Sequence, residues 1–145
     1  MFPLSRRALP AVLLATSLAS LAQQAAPTEA VLQGTWISPG HPIDTALTFG
    51  SSQRLEVATR LSRTTPPKDF VQSQVPGAYL AGEAACSVGQ LQGNLYVAHG
   101  SSRCCFQARL IGSTLVLDEL RSASAMPQPP GGLCQSKTLA KSGAR

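Results

Sequence analysis

Charge, aromatic rings and catalytic motifs are all scarce in this chain. Charged residues are 13% of its 145 positions and aromatic ones 5%, with one Trp. Lys and Arg number 12 against 7 Asp and Glu, a formal net charge of +5. Arg6 and Arg7 fall in a segment read below as removed, which leaves ten against seven, or +3. So small and dispersed an excess, with few rings to stack on bases, argues against a nucleic-acid binder and an acidic tail protein. There is no G-x-S-x-G, H-E-x-x-H or G-x-x-x-x-G-K, so no catalytic or phosphate-cradling motif announces an enzyme. The histidines are His41 and His99, each beside a turn signal and read as a solvated turn residue. The neighbours Asp118 and Glu119 would point to opposite faces of a strand, a poor geometry for a carboxylate dyad. The expectation is a protein without catalysis, cofactor or metal.

What is present begins with an address. Residues 1–22 place Arg6 and Arg7 before an uncharged apolar run from Ala8 to Leu21, then the small residues Ser20 and Ala22 before Gln23. Positive charge, apolar run and small residues, in that order, are the layout of a cleaved export signal. The run is shorter than the roughly 20 apolar residues of a spanning helix. Ser5-Arg6-Arg7-Ala8-Leu9 resembles a twin-arginine signal, although Pro10 departs from that pattern; an ordinary secretory signal is the other reading. A bacterial periplasmic or secreted protein is expected, with no transmembrane segment after signal removal.

Four cysteines fit that compartment: Cys86, Cys104, Cys105 and Cys134. An even number in an oxidising compartment favours two disulfides, and four cysteines allow three pairings. If Cys104 and Cys105 share a strand, their side chains leave from opposite faces. A bond between the two would then need a strained, turned backbone. The favoured arrangement gives each its own partner, Cys86 or Cys134, closing loops of roughly 18 to 30 residues, each on the order of 3 kcal/mol. A vicinal Cys104–Cys105 bond acting as a redox switch is the alternative; no C-x-x-C pair supports a structural zinc site and no C-x-x-C-H a haem.

The body reads as short strands separated by turns. Residues 23–30 form a lead-in, and 31–38 are a strand ending at Pro39-Gly40. Residues 45–49 and 54–61 read as a hairpin around 50–53, with Leu55 and Val57 on one face. Residues 62–78 carry three prolines and read as a long loop, with a short helical turn at 68–72. Strands follow at 79–86, 89–98, 103–111 and 114–120. In 103–111, Cys104, Phe106, Ala108 and Leu110 alternate with Arg103, Cys105, Gln107 and Arg109. Gly112-Ser113 is a tight hairpin signal. Residues 122–133 are a Pro/Gly loop, 134–141 a closing strand and 142–145 a loose end. About seven or eight antiparallel strands without an amphipathic helix argue for a small closed β-barrel, braced by disulfides.

Gly34-Thr35-Trp36 on the first strand resembles the G-x-W opening of lipocalin-like proteins. The order of Leu47-Thr48-Phe49, Cys86, Gly93-Asn94-Leu95-Tyr96, Gly112 to Leu117 and Cys134 is similar to short bacterial lipocalin-like exported proteins. The resemblance spans residues 31–141. It implies that Trp36 packs across one barrel end beneath a basic side chain, for which Arg109, Lys137 and Lys141 are candidates. The C-terminal helix of full-size lipocalins has no counterpart here, and a shorter barrel has a smaller interior. The function expected from the resemblance is binding of a small apolar ligand or an envelope component by a monomer. Trp36, Leu47, Phe49, Phe106 and Leu115 are the expected interior lining. The alternative is a protein-interaction module or enzyme inhibitor acting through 62–78. There, Val75-Pro76-Gly77-Ala78-Tyr79 is weakly similar to the loop of small-barrel periplasmic lysozyme inhibitors, lacking that motif's Arg and with Pro for its Ser. Arg54, Arg60, Arg63 and Lys68 could offer a modest patch for an anionic partner.

Overall fold

In a computed structural model, residues 26–122 and 132–143 are described. The expected signal segment 1–22 and most of the 122–133 loop lie outside these residues. One short helix, α1 (Glu29–Leu32), precedes nine strands: β1 (Gly34–Ser38), β2 (Ile43–Phe49), β3 (Arg54–Leu61), β4 (Val71–Gln72), β5 (Gly77–Val88), β6 (Leu91–His99), β7 (Ser102–Ile111), β8 (Thr114–Glu119) and β9 (Lys137–Lys141). Every pairing is antiparallel, in the order β2-β1-β9-β8-β7-β6-β5-β3-β4, and β2 also pairs with β3. Eight strands therefore close on themselves, and β4 hangs on β3 as a ninth. Closure rests on two short ladders, β1 with β9 at Trp36 and Ile37 and β3 with β5 at Arg54 and Leu55.

The strand assignment follows from period-two alternation, and three departures from it are instructive. Val31 and Leu32 belong to α1, not to the first strand. Thr28 Oγ1 accepts a bond from Val31 N at 3.4 Å and Glu29 occupies the first turn, both of which favour a helix start. The loop expected over 62–78 contains β4, whose Val71 pairs with Thr59, so strand pairing replaces the helical turn expected at 68–72. Gly77 and Ala78 already belong to β5. The last strand starts at Lys137 rather than Cys134, because the disulfide ties Cys134 into a turn before the strand.

Cys104 and Cys105 take different partners, as expected, and the structure selects one of the two pairings left open: Cys86–Cys105 and Cys104–Cys134, with sequence separations of 19 and 30 residues. Alternation sends them to different places. Cys104 and Cys134 join the hydrophobic core cluster, whereas Cys105 is buried but stands outside it. The Cys86–Cys105 bridge accounts for the burial of a position that alternation puts on the outer face. It crosses β6 at Gly93. A Cβ on Gly93 would lie 2.5 Å from Cys105 Sγ and 2.8 Å from Cys86 Sγ, so no other residue fits there without movement. Next to it β6 leaves the regular ladder. Asn94, buried, compensates with its side chain, donating to Ala108 O at 2.9 Å and accepting from Ala108 N. Buried polar groups are retained where their bonds are satisfied in this way.

Candidate functional site

Strand direction alternates around the ring, so the connections sort to two ends. Turns 50–53, 89–90 and 112–113 share one end with α1 and the end of β9. Connections 39–42, 62–76 and 100–101 share the other with the approach to β9.

The first end is shut. Leu32 of α1 is fully buried, and its carbonyl accepts from Trp36 Nε1 at 2.8 Å. Gln33 Nε2 reaches Gly50 O at 3.1 Å and Tyr79 Oη at 3.0 Å, and Tyr79 Oη donates to Gly50 O at 2.8 Å. Glu29 Oε1 accepts from Gln53 N. Phe49 meets the Tyr79 ring edge-on, with centroids 4.9 Å apart. Burial raises the Tyr79 phenol above its ordinary value, with Glu29 adding to the shift and the Gln33 bond opposing it. Of the three basic candidates, Lys141 is the one placed over Trp36, its Nζ 5.4 Å from the ring centroid. Arg109 instead pairs with Asp118 at 3.2 Å, and Lys137 lies toward the other end.

Trp36, Leu47, Phe49, Phe106 and Leu115 are brought together as expected, but as packing. All belong to one core cluster, each with at most 1% of its surface exposed. None of them lines the three clefts described next. Tyr79, from the segment similar to lysozyme inhibitors, is buried in the same cluster rather than displayed on a loop.

Two of these clefts lie at the second end and one on the flank between β3 and β5. The largest, about 540 Å³, lies between the β1–β2 turn and the approach to β9. Its walls include Pro39, His41, Pro42 and Ile43 on one side and Gln135, Ser136 and Lys137 on the other. Lys137 is half-buried. Its Nζ donates to Leu133 O at 2.6 Å and to Gly132 O at 3.3 Å. Burial pushes this amine down to about 8, against the opposing pull of Glu119. Glu119 in turn stands 3.7 Å from Arg121 Nε.

A second cleft, about 310 Å³, opens where β3 parts from β5, between Arg54 to Glu56 and Gln72 to Gly77. There β3 pairs with β5 only at Arg54 and Leu55. His99, expected as a solvated turn residue, ends β6 and shares a 3.2 Å hydrogen bond with Ser73 Oγ, tying the β4–β5 segment to the sheet. The third, about 260 Å³, includes Ile43, Leu61, Lys68 and Val71. Of the basic residues read as a patch, Arg60 is committed elsewhere. It pairs with Asp44 at 3.1 Å and lies over Phe70 at 4.2 Å. The Gly40 N–H and then Arg60 hold the Asp44 carboxyl below its ordinary value.

Among the described residues no three His, Cys, Asp or Glu side chains converge on a metal position, and no helix is long and apolar enough to cross a membrane. The fold and its clefts define a class, a disulfide-braced, closed antiparallel β-barrel. Comparison goes no further, since no family model, curated protein or solved structure matches the chain.

The signal for the rim cleft was absent from local sequence. Lys137 reads as one more strand lysine until closure sets it beside the Pro39–Pro42 turn, about a hundred residues earlier in the chain.

Proposed function

We propose that the protein is an exported, lipocalin-like, non-catalytic binding protein whose ligand seat is the rim cleft rather than the barrel interior. One observation carries the choice: the cleft of about 540 Å³ at the end opposite α1. It falls within the usual range of small-molecule sites, roughly 300–1,000 Å³, and combines apolar walls with a few polar groups. The expected lining residues belong to the buried core cluster and line none of the three clefts, which favours the rim as the place for a ligand or a piece of the cell envelope. Trp36 beneath Lys141 supports the lipocalin-like reading, and the two disulfides support the exported one.

A mixture of short-chain carboxylates, alcohols, amines and sugars, followed by two-dimensional NMR, tests the seat. Shifts confined to Pro39–Ile43 and Gln135–Thr138 support it; shifts centred on Phe106 and Leu115, or none, overturn it. The intact mass of the protein recovered from its exporting host tests the rest. A chain starting at Gln23, lighter than the all-thiol form by the hydrogens that two disulfides remove, is the expected result.

A second reading has its own observation. Ile43 faces Leu61 across β2–β3, and Val71 faces Thr59, so these apolar side chains share one face near the rim. Val71 is 72% exposed and Leu61 51%. Exposed apolar surface of this kind suits a protein partner, and shortening 66–76 would abolish that binding while leaving the rim cleft occupied.

A further inference from the structure

This inference rests on the rim cleft being the ligand seat and names what the seat takes. An ammonium has three N–H donors. Lys137 Nζ spends two on the carbonyls of Gly132 and Leu133. Among the described residues no carboxylate lies within ion-pair distance of it, because Glu119, the nearest acidic influence, is engaged with Arg121. A half-buried cation without a counter-ion is costly to keep charged, and the depressed value of this amine records that cost. Ser136 Oγ, on the same wall, accepts from Glu119 N at 2.8 Å and keeps its own O–H to give. Facing these donors are Pro39, Pro42 and Ile43, the last 45% exposed. The cleft thus sets a cation and a hydroxyl donor against an apolar wall.

We propose that the rim cleft binds an amphipathic monocarboxylate, its carboxylate on Lys137 Nζ and Ser136 Oγ and its apolar part along Pro39, Pro42 and Ile43. The head is a monoanion rather than a phosphate dianion, because the free donors number about two and the Gly132 and Leu133 carbonyls would repel further negative charge.

Calorimetric titration of the whole protein with octanoate, octyl phosphate and octan-1-ol, at pH 7 and pH 10, tests this. Octanoate is expected to bind about tenfold or more tighter than octanol and tighter than octyl phosphate, since a charge-assisted bond is at stake. Lys137→Met should remove that advantage. Wild-type protein supplies the second readout, free of any folding defect. The octanoate carboxylate stays ionised over this range while Lys137 loses its proton, so octanoate affinity should fall toward that of octanol at pH 10. The charged groups beside Lys137 are Glu119 and Arg121, and His41 stands on the facing wall; His41→Gln should keep the pH response. Equal binding of octanoate and octanol at the cleft, tighter octyl phosphate, or octanoate affinity unchanged by pH overturns the carboxylate assignment and leaves the seat standing. Binding of none of the three, with no NMR shifts from the wider mixture, overturns both.

Discussion

The two ends of the barrel are built from different materials. At the α1 end, the side chains of Gln33, Trp36 and Tyr79 donate to one another or to the backbone carbonyls of Leu32 and Gly50, so their polar atoms are met inside the protein. At the rim, polar and charged groups line open clefts, and Val71, Leu61 and Ile43 remain exposed. The closed end and the inner disulfide belong to the core cluster, while the rim leaves polar and apolar groups open to solvent.

That contrast can be broken most forcefully at the closed end. Trp36→Ala removes a fully buried ring and its bond to Leu32 O, with an expected loss of about 3–5 kcal/mol in urea unfolding. A loss under about 1 kcal/mol would mean that this end is not the stabilising one. Removing the inner bridge as Cys104→Ala with Cys134→Ala should cost about 3–4 kcal/mol from its 30-residue separation, plus the void left in the core. The outer bridge, with its separation of 19, should cost about 3 kcal/mol and leave no core void, so unfolding of the two double variants ranks inner above outer.

Gln33→Ala sharpens the comparison at smaller scale. It loses the bonds to Glu29 O, Gly50 O and Tyr79 Oη, for about 1–2 kcal/mol, while Tyr79 keeps Gly50 O. By contrast, His41→Ala and Val71→Ser at the rim should move stability by no more than about 0.5 kcal/mol. Calorimetric melting of these variants side by side would show whether the division of labour holds.

Acidity separates the ends as well. Lys137 titrates near 8 in the folded protein against 10.5 for the free side chain. Between those values the unfolded chain holds the extra proton, so this group makes stability rise as pH climbs from about 8 toward 10.5. Tyr79 acts oppositely: its raised value means the folded state keeps the proton longer, and stability falls once pH passes 10. Asp44 is depressed, so its contribution is present above 3.8 and lost as pH drops further. Denaturant midpoints across this range should show the rise near pH 8–10, and Lys137→Met should flatten it.

Much of the ring was legible because it depends on local pattern. Leu55 and Val57 in β3 alternate with exposed Arg54 and Glu56, and Phe106 and Ala108 in β7 flank exposed Gln107, and one buried face per strand is enough to draw a closed sheet. That Cys104 and Cys105 would not bond to each other was legible for the same reason, since adjacent cysteines on a strand point to opposite faces, but which of them reaches Cys86 depended on the register of β6 and β7. The 62–78 segment misled because prolines mask a two-residue strand whose existence depends on Thr59 and Ala58 across the gap. The expected lining residues could be named as inward-facing, but alternation says nothing about whether an interior is filled or hollow.

The sequence by itself determined an all-β chain of short strands, the inward set led by Trp36, and two bridges fanning out from Cys104 and Cys105. These follow from period-two alternation and turn chemistry, which act between near neighbours. Only the tertiary structure decided that Lys141 rather than Arg109 or Lys137 covers Trp36, that Gly93 lies under a disulfide, and that Lys137 faces the Pro39–Pro42 turn. Those facts depend on the register and closure of strands far apart in the chain. One residue of slip in a strand would turn its side chains to the other face, and no local pattern encodes it alone.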